Sequence, residues 1–171
     1  MTVIWPHIAI LGFVTLQRAG EMALSRANTA ALRARGAREV ARGHYPLLVA
    51  VHVLWLASLW WLAPGRPIEW TLVALYALLQ AARVWVIRTL GVRWTTRIII
   101  LPGAPRIDTG PFRYLSHPNY AVVMAELVLL PLAFGLPHLA ILFFALNAVV
   151  LAVRITAENK ALHEAGGDGP S

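Results

Sequence analysis

Arg154 and Glu158 stand four residues apart in R-I-T-A-E, a spacing that puts a fixed cation and a fixed anion on one helical face. Upstream, residues 109–120 read T-G-P-F-R-Y-L-S-H-P-N-Y, which gathers a histidine, two prolines and aromatic rings at Phe112, Tyr114 and Tyr120 just before an apolar run. A guanidinium presents a planar fork of donors suited to holding an oxyanion. A carboxylate accepts charge-assisted hydrogen bonds, and aromatic faces attract cations by about 0.5 to 2 kcal/mol. Pro111 and Pro118 restrict the backbone, and an imidazole such as His117 titrates near 6.5 unperturbed. As a bare pair at a helix exit, Arg154 and Glu158 would be worth only a few tenths of a kcal/mol. As chemistry, they would serve a substrate whose tail lies in lipid.

The elements that must position these groups are read from hydropathy. Of 171 residues, 58% are hydrophobic and 13% charged, about half the charged share of a soluble domain, so the chain is an integral membrane protein. No linker, low-complexity tract or repeat divides it, and residues 1–171 read as one membrane domain. Five apolar stretches of roughly the length a bilayer core requires predict an all-α fold with five spans. They are Thr2–Leu16, Tyr45–Ala63, Trp70–Ile87, Tyr120–Phe134 and Pro137–Val153, the first and fourth being short enough to demand tilt or local thinning. Residues 18–42 hold six arginines against Glu21 and Glu39, and residues 88–113 hold five against Asp108. The positive-inside rule therefore puts both segments in the cytoplasm, the N-terminus outside and the C-terminus inside. The alanine-rich stretch after Glu21 reads either as an interfacial helix, with Met22, Arg26, Thr29 and Leu32 near helical spacing, or as a solvated connector. The tail A-G-G-D-G-P-S has the composition of a frayed end.

An ionisable group within a span costs at least about 2.5 to 3.5 kcal/mol at the bilayer centre unless partnered. Arg83 lies near the cytoplasmic end of its span, where snorkelling and function are both open. Glu126 is too short to snorkel and calls for a buried partner such as Arg83, or a substrate role. His52 and Asn147 read as packing groups, each satisfied by one interhelical hydrogen bond. The tryptophans at 55, 60, 61, 70, 85 and 94 mostly flank span ends, as an aromatic belt does. No cysteine is present, which excludes disulfides and thiolate metal sites. The six histidines are scattered, so no metal site is expected. The arginines lie where lipid headgroups would meet them, and the stacking platform of a nucleic-acid binder is missing.

Taken in order, the basic segment ending in G-P-F-R-Y, the H-P-N-Y of His117 to Tyr120, a helical hairpin and then R-x-x-x-E resemble the isoprenylcysteine carboxyl methyltransferase family. That likeness covers about residues 88–162. R-A-G-E-M-A-L-S-R-A-N, G-H-Y-P, R-T-L-G-V-R-W-T-T-R-I-I-I-L-P-G-A-P and P-N-Y-A-V-V-M-A-E-L extend it over most of the chain, toward small bacterial members that O-methylate alkylpyrones made by type III polyketide synthases. The resemblance implies a membrane O-methyltransferase using S-adenosylmethionine, residues 88–162 being the donor-binding core, in the cytoplasmic membrane of a bacterium. Carried over position by position, it puts Arg97, Ala104, Pro105, Arg106, Ile107, Phe112, Tyr114, His117, Pro118, Asn119, Tyr120 and Glu158 around the cofactor, and Arg154 at the acceptor. Ser116 departs from the family's usual arginine, Phe112 from its tyrosine, and Asn159 from a common second glutamate.

On this reading Arg154 orients an acceptor oxyanion, an alkylpyrone-type enol or a prenylcysteine-type carboxylate. Glu158 holds the donor's amino group or ribose hydroxyls, and His117 serves donor binding rather than general base catalysis. The lipophilic acceptor enters sideways from the bilayer along a route lined by Arg83 and Glu126. Alternative readings are a phospholipid N-methyltransferase, which resembles the same core, and a non-enzymatic transporter or scaffold subunit.

Overall fold

The computed structural model describes residues 4–40, 43, 45–105 and 107–164, with residues 157–164 in backbone only. Five helices dominate: α1 Trp5–Ala34, α2 Tyr45–Leu62, α3 Trp70–Leu90, α4 Pro118–Ala133 and α5 Pro137–Glu164. Two-residue strands β1 (Arg38–Glu39) and β2 (Ile99–Ile100) pair antiparallel. Single turns of 3₁₀-helix follow α3 (Gly91–Arg93) and precede α4 (Gly110–Arg113). α2, α3 and α5 contain stretches long and apolar enough to cross a membrane, and α4 is a shorter apolar helix. The chain is an all-α integral membrane protein.

Local chemistry explains the boundaries. Pro118 opens α4, where its missing N–H would have had no helical partner anyway. At the other end of α4, Gly135 adopts φ 64°, and the amides of Gly135 and Leu136 bond back to Leu132 and Pro131. This left-handed cap turns the chain directly into α5. The tail at residues 165–171 lies outside the described residues.

The first helix corrects the sequence reading. The apolar run and the alanine-rich basic stretch form one helix of 30 residues, about 45 Å at the α-helical rise. Alanine, leucine and arginine favour helix, and the helix runs through Gly12 and Gly20 to end at Gly36, at φ 86°, where Gly36 and Ala37 donate to Arg33 and Leu32. The polar half is no solvated connector, because Ser25, Asn28, Thr29 and Leu32 are buried. Strand β1 then ties the end of α1 to the segment after α3, Val40 N–H donating to Ile98 at 3.1 Å.

The core runs between the helices, with Leu11 and Val14 of α1, Trp55 and Leu59 of α2, Tyr76 of α3, Leu127 and Leu130 of α4 and Phe143 of α5. The α2 face bearing Leu47 and Leu54 is exposed, as lipid contact requires. The aromatic-belt expectation holds for exposed Trp60, Trp61, Trp70 and Trp85 and fails for Trp55 and Trp94, which are buried core residues. On the side opposite β1 and β2, His7 bonds to the Arg66 carbonyl at 2.9 Å and Arg66 donates to Gly135 at 3.2 Å. These contacts lock the two short turns together.

Candidate active site

A cavity of about 180 Å³ opens among all five helices. Leu48, Val49, Val53 and Leu56 of α2, with Val123 and Leu151, supply its apolar wall. Polar groups join it: Arg18 and Glu21 of α1, Tyr45 and His52 of α2, Arg83 of α3, Trp94 and Thr96 of the following loop, Asn119 and Tyr120 of α4, and Arg154 of α5.

Arg154 is buried, at 5% exposure. Its Nε donates to the Tyr120 hydroxyl at 2.8 Å and its Nη1 to the Thr96 carbonyl at 2.6 Å. Both acceptors are neutral, and no described carboxylate pairs with it. Thr96 is itself held by α1, for Ser25 Oγ accepts from the Thr96 amide at 2.9 Å and bonds its hydroxyl at 2.8 Å. Asn28 reinforces this by donating to the Trp94 carbonyl at 2.7 Å. The polar half of α1 thus fixes the loop that fixes Arg154. A buried cation left with neutral partners is costly unless a further group completes its shell, so this position suits an anionic or strongly dipolar oxygen.

The remaining residues implied by the resemblance separate into two groups. Asn119 and Tyr120 share the cavity wall with Arg154. The His117 ring stacks on Tyr120 with centroids 5.1 Å apart and planes 11° from parallel, and Trp94 Nε1 reaches Asn119 Oδ1 at 3.5 Å. Phe112 instead faces a shallow surface recess with Asp108, Thr109 and Arg113, and Tyr114 is 75% exposed. Gly110 explains why this turn lies where it does. At φ 57° a Cβ there would come within 2.6 Å of Thr89 Oγ1, so its absence lets the turn dock on the end of α3. Ala104 and Ile107 are half-buried and Pro105 exposed. Arg106 and the side chain of Glu158 lie outside the described residues, Glu158 itself falling within α5.

Arg97 is engaged by Glu39 at 2.5 Å and lies over the Tyr45 ring at 4.1 Å. Glu39 also pairs with Arg33. Burial pushes the Glu39 carboxyl up, but the hydrogen bonds and charges of Arg97 and Arg33 outweigh it and hold it below the ordinary value. The same hydrogen bond, against a smaller desolvation effect, raises Arg97.

Arg83 and Glu126 do meet, through Nε to Oε1 at 2.8 Å and a second bond between Nη2 and Oε2. The pair belongs to a larger cluster that the sequence did not reveal. Arg18 reaches Glu126 at 2.6 Å and Glu21 at 2.7 Å. Arg83 also reaches Glu21 at 3.3 Å, and Gln80 donates to Glu126 at 2.9 Å. Two guanidiniums face two carboxylates, so the cluster is neutral. Arg18 and Glu21 are hidden in the sequence because they fall where a cytoplasmic connector is expected, although Arg18 and Glu21 at i, i+3 would share one face if the helix continued through Gly20. Asn147 behaves as a packing group, donating to Met124 Sδ across the hairpin at 3.0 Å. His52 does not bridge helices: Nδ1 bonds within α2 to the Leu48 carbonyl at 2.8 Å. Among the described residues, no cluster of three histidines or acids could hold a metal ion.

Comparison with known proteins bears on this arrangement. An uncharacterized protein of Bacillus subtilis (strain 168), YpbQ, is 40% identical over 165 residues, covering 94% of this chain and 96% of the relative. No solved structure matches the chain. The sequence pattern of the isoprenylcysteine carboxyl methyltransferase family matches residues 72–164, a range that includes α4, α5 and the loop carrying Thr96. The buried arginine after the hairpin and the H-P-N-Y before it both lie within the matched range, and the chain belongs to the isoprenylcysteine carboxyl methyltransferase family.

Proposed function

We propose that this chain transfers a methyl group from S-adenosylmethionine to an oxygen of a hydrophobic acceptor that partitions into the bilayer. The observation that carries the reading is Arg154, a buried cation with only neutral described partners, in the wall of a largely apolar cavity. Such a group repels a protonated amine and attracts an anionic oxygen. It favours an O-methyl acceptor, an acidic enol or a carboxylate, over a phospholipid amine.

The residues present fit the donor in chemical kind. The parallel rings of His117 and Tyr120 offer an aromatic face, Asn119 a polar edge, and Ala104, Pro105 and Ile107 backbone groups. Glu158, on the same helix as Arg154, offers an anion for an amino group or ribose hydroxyls. When bound, S-adenosylmethionine supplies an electrophilic methyl on a sulfonium. Residues 88–162 would then form the donor-binding core, with Phe112, Tyr114 and Arg97 at its periphery.

Arg154 holds the acceptor oxygen in line, and its contribution is orientation. Holding two reactants in geometry accounts for much of the barrier reduction available to a displacement. The fixed bonds from Arg154 to Tyr120 and Thr96 restrict its own rotamers, so the fork is already aimed. The apolar wall of α2 accommodates the acceptor's tail and excludes water. Arg83 and Glu126 contribute by holding α1, α3 and α4 around the cavity. The basic segments orient the protein with the site toward the cytoplasm and the N-terminus outside, in the cytoplasmic membrane of a bacterium.

The test is calorimetry with S-adenosylhomocysteine on the purified protein in detergent. Binding to the wild type that is sharply weakened by Glu158→Ala is expected, and a wild type that binds nothing sinks the reading. Labelled donor offered with alkylpyrone, prenylcysteine and phosphatidylethanolamine then sorts the acceptors. Label in the lipid amine alone would overturn O-methylation.

A further inference from the structure

His52 lines the cavity and carries an acceptor that no described residue uses. Its Nδ1 lies 2.8 Å from the Leu48 carbonyl, and a carbonyl only accepts, so Nδ1 carries the hydrogen. The neutral ring must then bear its lone pair on Nε2. Nε2 makes no hydrogen bond to any described residue and is not among the buried atoms sealed away without a partner. His52 and Arg154 line the same cavity. The fixed bond one turn back along α2 sets both the tautomer and the direction of the ring.

Its neighbours in the wall differ in kind. Arg18, Arg83 and Arg154 can only donate, and Glu21 is occupied by Arg18, Gln17 and Arg83. Tyr45 bonds Thr96, and the Tyr120 hydroxyl accepts from Arg154. A substrate hydroxyl entering this cavity meets several donors, whereas His52 Nε2 is an uncommitted base.

We infer that His52 Nε2 accepts the hydroxyl proton of a weakly acidic acceptor, a phenol or alcohol borne on an apolar tail. This rests on the methyl-transfer reading and adds a proton acceptor to it. As the acceptor oxygen bonds to the methyl carbon, the carbon–sulfur bond of the sulfonium breaks and the hydroxyl proton passes to Nε2. The products are a methyl ether, a neutral thioether and an imidazolium, which then loses its proton to water. A carboxylate has no proton to give and would gain nothing from this ring.

The experiment measures binding without turnover. Meta-pentadecylphenol and its methyl ether, which cannot donate, are titrated into wild type, His52→Phe and His52→Gln in detergent, with S-adenosylhomocysteine binding measured on the same samples. The wild type should prefer the phenol by about tenfold, the scale of one net hydrogen bond. His52→Phe should abolish that preference without changing the ether's affinity, and His52→Gln, which keeps an acceptor, should restore part of it. In the wild type, the phenol and not the ether should shift the ¹⁵N resonance of Nε2. Equal binding of phenol and ether by the wild type, or a preference that survives in His52→Phe, overturns the inference. Because no binding step needs the donor, failure of S-adenosylhomocysteine to bind would overturn the methyl-transfer reading, while the phenol–ether contrast would still decide whether His52 accepts the hydroxyl.

Discussion

Two places in this protein bury arginine, and they do so differently. Around Glu126, the guanidiniums of Arg18 and Arg83 meet the carboxylates of Glu126 and Glu21, with Gln17 and Gln80 bridging. Around Arg154, a single guanidinium meets a phenol oxygen and a backbone carbonyl. The first arrangement is closed, its charges balanced within three helices. The second is open, its charge answered by dipoles alone among the described residues. Ion pairs in low dielectric return little net stability even when complete, so the closed cluster is best understood as fixing which faces of α1, α3 and α4 meet. An open cation on a cavity wall has no such structural explanation and is the better candidate for binding.

The largest effect should come from unbalancing the closed cluster. Glu126→Ala leaves Arg83 and Arg18 short of a counter-charge, at a cost of about 3 to 5 kcal/mol. Unfolding in detergent should show it. Replacing Arg83 and Glu126 together by leucine should cost far less than the sum of the single changes. If the double replacement is as damaging as the sum, the cluster is not acting as one neutral unit.

The next effect should appear in turnover. Arg154→Gln keeps hydrogen-bonding capacity toward Tyr120 and Thr96 but removes the charge, and methyl transfer should fall on the order of a hundredfold, the scale of a misplaced reactant. Thermal stability should change little, because no described carboxylate is left unpaired. A stability loss as large as that of Glu126→Ala would erase the distinction between the two sites.

The same contrast shows what the sequence could disclose. The meeting of Arg83 with Glu126 was legible because an intramembrane carboxylate must find a cation, and few were within reach. The start of α5 at Pro137 and the turn at Gly135 were legible from proline and glycine. The continuation of α1 was not, because hydropathy marks where a helix faces lipid and says nothing of where it ends. That hid Arg18 and Glu21 and the buried face from Ser25 to Leu32. Thr96 acts through its backbone carbonyl, which any residue possesses, and Trp94 resembled a belt tryptophan. Strands of two residues are too short to show alternation. Phe112 and Tyr114, members of the same motif as Tyr120, stand apart from the cavity that Tyr120 lines, since proximity in sequence does not carry across a 3₁₀ turn.

A smaller effect is expected at Gly110. Alanine there must hold a positive φ and clear Thr89 Oγ1, which lies 2.6 Å from the position of its Cβ, costing about 1 to 3 kcal/mol of local strain. The change should loosen the turn before α4 and weaken S-adenosylhomocysteine binding more than it lowers global stability. A variant with unchanged binding would separate this turn from the cofactor altogether.

The smallest effect tests a third arginine site, Glu39 between Arg97 and Arg33, at the surface end of the β1–β2 pair. The carboxylate side chain is covered, but Arg97 and Arg33 are 37% and 49% exposed, so water screens the attraction, and about 0.2 to 1 kcal/mol is expected. The Glu39 pKa lies below its ordinary value of 4.5, so the folded ribbon binds fewer protons than the unfolded chain near that pH. Its stabilisation is therefore complete above the ordinary value and is lost as pH falls through the lower folded value. Hydrogen exchange at the Val40 amide, bonded to Ile98, should be protected equally from neutral pH to about 5 after correction for intrinsic rates, then lose protection below. Glu39→Gln should flatten the profile. Protection that changed between pH 5 and 7 would show that Glu39 does not control the ribbon, leaving charge balance as a property of the membrane cluster alone.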